Sequence, residues 1–284
     1  MQYDLAFTDE TIDINRTSSY HLSIQSSLNG FSFCILDTVN NKYVLFRHKQ
    51  FEDLPEHIYY EQLEEIVKKE ELLDYSYKSS AFLNQTRKAT LVPSVFFNKD
   101  NVKNYFEFNH QLDNLDELHY QYIPLINAYV VFAVHNYVAI SLTSKIKNLV
   151  FYHQSSPLLK RIEEIPDSRS KDKQVLIDVN RSFFDILAMD GEKLLFYNSF
   201  QYRSSYDLLY FVLYVYNQLN LKSEEVPLII SGDLQRNSEY TNLLKEYIGK
   251  IKFQKSNPTY LYSYTFDKLD EHRFSTLFNL KSCV

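Results

Sequence analysis

The chain has 284 residues, of which 45% are hydrophobic and 23% charged. That is the balance of a folded globular protein, with length enough for one large domain or two lobes of roughly 140 residues. Lys and Arg total 30 against 36 Asp and Glu, a formal net charge of -6, which excludes the basic footprint of a non-specific nucleic-acid or anionic-membrane binder.

No apolar run approaches the ~18 residues of a membrane span. The start, Met1 to Asp4, has no signal-peptide character. Cys34 and Cys283 form no spaced pair, which argues against a structural metal and for a reducing, cytoplasmic setting. Two biases remain. The chain holds 24 Tyr and 21 Phe but no Trp, and only 4 Gly, where ~20 are usual at this length. Loops that cradle phosphate need glycine, because backbone must approach the anion closely. The scarcity therefore argues against a working nucleotide-hydrolysing machine.

Residues 1–18 are polar and mixed and read as a loosely held leader. A strand hairpin follows, from His21–Gln25 through Phe31–Leu36 and a turn at Val39–Lys42 to Tyr43–Phe46. The spacing predicts a helix over 56–73, a strand over 89–97 bent at Pro93, and a short helix over 99–109. An acidic loop is expected at 111–118, then strands over 119–126 and 128–134. A helix over 136–148, a strand over 149–153 and a helix over 156–165 follow. The polar run Ile165–Lys173 is the linker candidate.

Beyond it a second hairpin opens with Val175–Val179 and Phe184–Met189 and turns at Asp190-Gly191. A long helix over 204–220 begins with a Ser204/Asp207 cap, followed by a buried strand over 226–231 and a helix over 238–248. The helix over 204–220 is apolar nearly all round and reads as a buried central helix, its Tyr206, Tyr210 and Tyr214 packing in the core.

The two hairpins match in pattern at an offset of 153, and each is followed by a helix and a further strand. That order predicts a duplicated α/β fold of two lobes with a cleft between them.

The order resembles the actin-like ATPase superfamily, in which each lobe opens with a phosphate-binding hairpin. Leu176-Ile177-Asp178-Val179-Asn180-Arg181-Ser182 looks like the second phosphate hairpin, with Asn180 where glycine should stand. Ile229-Ile230-Ser231-Gly232-Asp233 looks like the adenosine motif with one glycine of two. Within the superfamily the chain is similar to the pilus-assembly and type II secretion proteins. More closely still, it resembles a bacterial domain-of-unknown-function family of this fold. Gly30–Phe33, Leu195–Tyr202 and His272–Leu280 carry that likeness.

The resemblance implies a duplicated two-lobed actin-like (ribonuclease H-like) α/β fold with mixed sheets and flanking helices. It implies an N-terminal lobe over 1–170 with a small insert at about 98–127, and a C-terminal lobe over 171–284. The nucleotide-facing positions it assigns are Gln25, Ser27, Asp178, Asn180, Ser182, Gly232 and Asp233.

By the internal repeat Gln25 takes the place of Asp178, so the first hairpin lacks a carboxylate to order Mg²⁺. Asn180 puts a side chain where phosphate needs backbone, although Asn tolerates a left-handed turn. Vestigial turns, no catalytic residue and no bound cofactor are the expectation. The alternative is an ATP-binding switch that closes the lobes on ATP and Mg²⁺. A metabolic kinase of the superfamily would need a catalytic Asp beside a sugar pocket, and no residue is nominated.

His110 and His119 flank the acidic loop without metal-ligand spacing, and Cys34 reads as an inert buried thiol. The apolar C-terminal stretch Phe274–Leu280 is expected to dock on the second lobe, not on a membrane. Function is expected through contacts with an unidentified protein partner. In the pilus-assembly relatives a partner peptide lies beside the inserted subdomain. By that resemblance Tyr105 and Tyr122 are the candidate partner-binding residues, set against a role in gluing the insert to its lobe.

Overall fold

The computed structural model describes residues 2–27, 30–52, 56–164 and 172–284. The expected boundary at 170, and the linker candidate up to residue 171, lie outside the described residues. The chain divides into two compact units. The first holds Met1–Pro157, Pro258–Lys268 and Leu277–Val284, and the second holds Leu158–Asn257 and Leu269–Thr276.

The first unit begins with β1 (Leu5–Thr8), β2 (Tyr20–Ser27), β3 (Gly30–Asp37) and β4 (Lys42–Gln50). Then come α1 (Glu56–Lys69), β5 (Ser79–Asn84), β6 (Ala89–Pro93), α2 (Val102–Glu107), β7 (Asp116–Ile123), β8 (Ala128–His135), α3 (Asn136–Thr143) and β9 (Leu149–His153). Helix α4 (Ser155–Glu164) leads into the second unit, with β10 (Lys173–Val179), β11 (Phe183–Asp190), β12 (Lys193–Gln201), α5 (Ser205–Gln218), β13 (Leu228–Gly232), α6 (Glu239–Tyr247) and β14 (Ile251–Phe253). β15 (Leu261–Tyr262) and α7 (Ser275–Asn279) follow.

The main sheets of the two units repeat one topology. In the first, the order β4-β3-β2-β5-β9 has two antiparallel contacts followed by two parallel ones. In the second, β12-β11-β10-β13-β14 runs the same way. The register repeats as well. Gln25 pairs with Ser32 in the first hairpin, and Asp178 with Asp185 in the second. The register shifts between Ile35 and Leu36 and between Ala188 and Met189, the same offset again, because Val44 on β4 and Leu195 on β12 are each bulged out of the pairing. Bulges set local twist and bend, so the two hairpins share curvature as well as order.

Apolar residues on both faces bury these central strands. β2 and β3 are buried almost end to end, as strands covered on both sides should be. The second unit's core joins Val175, Ile177, Phe184 and Ile186 of the sheet to Leu208, Val212 and Val215 of α5 and Leu244 of α6.

Three expectations are corrected, and one strand escapes the sequence reading. Residues 1–18 are no loose leader: β1 pairs antiparallel with β4, and a 3-10 helix covers Ile14–Ser19. β5, with only Ala81, Phe82 and Leu83 as its apolar run, carries too short a signal to be read, yet it is the parallel neighbour of β2. The acidic loop gives way at Asp116 to β7, which needs those residues as ladder partners of β8. The stretch Phe274–Leu280 does not dock on the second unit as a whole, although Phe274–Thr276 belong to it. Leu277 and Phe278 are buried in the first, where Tyr43 meets Phe278 edge-on at 4.9 Å and its hydroxyl donates to the Phe278 carbonyl.

Candidate functional site

The second hairpin places Asp178 near the end of β10, 1% exposed. Ser231 Oγ donates to its Oδ1 at 2.6 Å from the neighbouring strand β13. Asp185, directly opposite on β11, is also fully buried. Tyr197 Oη donates to Asp185 Oδ1 at 2.8 Å, and Ser199 Oγ donates to the same oxygen. Burial pushes the Asp178 carboxyl up to about 7, the Asp185 charge adds to the rise, and the Ser231 hydrogen bond opposes it. Two carboxyl groups thus share a strand pair in which the hydroxyl donors are supplied by the protein itself.

The turn after β10 forms without left-handed backbone at Asn180. The Asn180 amide donates to the Phe183 carbonyl at 2.9 Å, and its carbonyl accepts from Tyr202 Oη at 2.6 Å. Its side chain is 9% exposed, and Nδ2 has no hydrogen-bond partner. Ser182 is exposed on the turn.

Gly232 ends β13 at φ +84, and a Cβ there would lie 2.2 Å from the Val179 carbonyl oxygen. The glycine serves this close backbone approach. The polar groups of its turn are taken by the chain itself. The Gly232 amide donates to the His272 carbonyl at 3.0 Å, and the Asp233 amide donates to the Val179 carbonyl at 2.6 Å. His272 Nε2 donates to the Leu234 carbonyl at 2.8 Å. Arg273 reaches the Asp233 carboxylate at 2.8 Å and lies over the Phe274 ring. Phe274 has φ 56, a rare backbone state for a bulky residue. Sequence reasoning missed His272 and Arg273 as parts of this site, since they stand in the chain only as a family signature.

In the first hairpin Gln25 is 9% exposed. Its Nε2 donates to Gln85 Oε1 at 3.0 Å, while its own Oε1 is buried without a hydrogen-bond partner. Ser32, opposite, bonds His48 Nδ1 at 2.8 Å. Ser27 is half-buried where β2 pairs with Gly30. The repeat therefore sets a neutral Gln and Ser where the second unit has two Asp.

The three-stranded sheet β6-β8-β7 carries the aromatic cluster. Phe106 and Val102 of α2 cover Val92, Val131 and Ala133 on one face. Beyond the helix the same face is paved with rings. Phe97 stacks on Tyr129 at 3.7 Å and lies 6.0 Å from Tyr105, and Tyr129 lies 5.1 Å from Tyr122. Tyr105 and Tyr122 thus belong to one ring network, joined through Phe97 and Tyr129. Tyr105 is half-buried, its hydroxyl donating to the Phe96 carbonyl at 2.6 Å. Tyr122 is 46% exposed, with its hydroxyl on Asn127 Oδ1 at 2.8 Å.

The flanking histidines have other partners: His110 Nε2 donates to the Ala89 carbonyl at 2.9 Å, and His119 Nε2 meets Glu117 Oε1 at 2.7 Å. Cys34 is fully buried, and burial pushes its thiol well above the usual range. Among the described residues no helix is long and apolar enough to cross a membrane.

The paired sheets, the repeated hairpins and the glycine turn on β13 define an actin-like ATPase fold. The family model described as "Protein of unknown function (DUF3822)" matches residues 9–251, and the chain belongs to that family. A Bacteroides thetaiotaomicron protein "with actin-like ATPase fold and unknown function" is similar at TM-score 0.76 and 26% identity, over 88% of this chain and 95% of that one. A PilM-PilN type IV pilus biogenesis complex is similar at TM-score 0.58 and 12% identity, over 93% of this chain and 98% of that one. The ethanolamine utilization protein EutJ from Carboxydothermus hydrogenoformans is similar at TM-score 0.51 and 7% identity, over 93% and 90%. The last two likenesses speak to fold alone. Both the fold and the family likeness read from the residues are borne out. No curated protein matches the chain.

Proposed function

We propose that this chain is a cytoplasmic actin-like protein that acts through protein contacts and does not turn over ATP. The observation that carries the reading is the occupied Gly232 turn. Its amide, its neighbouring carboxylate and the Leu234 carbonyl are bonded to His272 and Arg273 of the same chain. The neutral Gln25 and Ser32 add support, since they leave the first hairpin without a carboxylate for Mg²⁺.

Thermal unfolding with millimolar Mg-ATP tests the reading. A ligand at 100 times its dissociation constant stabilises by about 2.7 kcal/mol, several degrees in a protein of this size. The expected outcome is a melting temperature unchanged within about one degree. A clear rise would instead establish the ATP-binding switch, which the retained Asp178 and the left-handed Gly232 favour.

The partner in this reading is a protein that docks on the ring network about the insert. The solved PilM-PilN complex gives this fold a precedent for a protein partner. Tyr122→Ala removes exposed surface and should abolish capture of one specific partner at unchanged melting temperature. Tyr105→Ala, which also strips the hydroxyl's hydrogen bond to the Phe96 carbonyl, should lower stability by ~1 kcal/mol as well. If neither variant changes what the protein captures, the docking face lies elsewhere.

A further inference from the structure

We infer that the outer edge of β12 is an interface between two copies of this chain, formed by antiparallel pairing of β12 with its counterpart. The inference starts from the repeat. β4 and β12 hold the same place in their sheets. The outer side of β4 is filled from within the chain, by β1 antiparallel and by β15 parallel. Among the described residues β12 has no strand on that side. A row of unpaired amides and carbonyls is a template for another strand.

β12 has few of the devices that keep an edge single. From Leu194 to Phe200 it holds no charge and no proline, and Lys193 and the bulge at Leu195 guard only its first positions. Leu194, Leu195, Phe196, Tyr197 and Phe200 are half-buried, whereas Tyr43 to Phe46 on the covered β4 are fully buried. The neighbouring helix extends the surface. Phe211 of α5 stacks on Phe200 at 4.4 Å, and Tyr210 meets Phe211 edge-on at 5.4 Å. Tyr210 and Tyr214 are 63% and 44% exposed.

The charges at the two ends select a second copy as the occupant. Lys193 faces Asp190 within the hairpin, which leaves Glu192 exposed at that end. Arg203 is exposed just past the other end, near the Asp207 carboxylate. Antiparallel self-pairing lays the Glu192 end of each strand beside the Arg203 end of the other, so the two-fold makes the contact twice. Because the two-fold uses the same edge on both copies, each β12 is covered by the other and the pairing closes at two.

The test is sedimentation velocity on the full chain, with melting curves to confirm folding. The wild type should sediment as a dimer at about 100 µM and dissociate on dilution. Glu192→Arg and Arg203→Glu should each weaken the dimer ~10-fold or more, since each removes two opposite-charge contacts and adds two like-charge ones. The double variant E192R/R203E should return to within about threefold of wild type. A wild type that stays monomeric throughout overturns the inference. So does a dimer indifferent to both reversals, or single losses that the double variant does not repair.

Discussion

Asp178 is buried between Ser231 and Asp185, and its carboxyl holds its proton up to about pH 7. The ordinary carboxylate value is ~4, so folding favours the protonated form. The stability this group contributes is present in full below ~pH 4 and is lost as pH rises to about 7. Across that window the slope approaches ~1.4 kcal/mol per pH unit. Asp178→Asn keeps an acceptor for Ser231 and cannot ionise. Its melting temperature relative to wild type should therefore climb between about pH 4 and pH 7, and parallel curves would show that Asp178 does not titrate there. Asp178, Asn180 and Gly232 are singled out in the sequence through the resemblance alone, each at a strand end with a short local signature. The closure of the Gly232 turn could not be found. His272 lies far along the chain, and nothing local to it marks where its carbonyl will point.

Helix α5 shows what a hydrophobic pattern misses. Its start was legible: Ser204 and Asp207 form the reciprocal cap that their spacing announces. Its tyrosine stripe was misread as core, and Tyr206, Tyr210 and Tyr214 are 69%, 63% and 44% exposed. Tyrosine counts as apolar in a tally but can keep its hydroxyl in water. Only Leu208, Leu209, Val212, Val215 and Tyr216 turn inward with Ser205. The helix ends on Asn220 at φ 51, with the Leu221 amide on the Tyr216 carbonyl at 2.8 Å and the Asn220 amide on the Asn217 carbonyl at 3.0 Å. That is the pattern usually closed by glycine. Asn41, Asn127 and Asn148 also hold positive φ. Asparagine thus takes left-handed positions across this glycine-poor chain, which weakens the argument from glycine count against phosphate binding. Asn220→Ala should cost ~1 kcal/mol in urea unfolding while Asn220→Gly costs nothing. Equal losses in both would mean that the side-chain amide, not the backbone angle, matters.

The two units repeat one sheet yet should answer pH in opposite directions. In the first, His21 and His153 are fully buried. Burial lowers them to about 3 and about 4. His153 Nε2 donates to the Thr86 carbonyl and Nδ1 accepts from Ser155 Oγ, a neutral arrangement. Unfolded histidine takes a proton near pH ~6.5. The stability these rings contribute is full above that pH and is lost as pH falls through the window to about 4 and about 3. Asp178 gains over part of the same range. Hydrogen exchange read separately on the two sheets should show the first losing protection before the second on going from about pH 6.5 to pH 4.5. His153→Gln should narrow the gap, and simultaneous loss in both sheets would contradict the assignment.

The aromatic core around Tyr43 has a further consequence for synthesis. Its ring is enclosed by Tyr260, Tyr262 and Phe278, all of which follow the long second-unit segment Leu158–Asn257 in the chain. A ribosome releases residue 43 early and these three only after that segment has been made. The first unit to emerge is therefore the last to close, and it waits through that interval with Tyr43 uncovered, in need of shelter from other nascent chains.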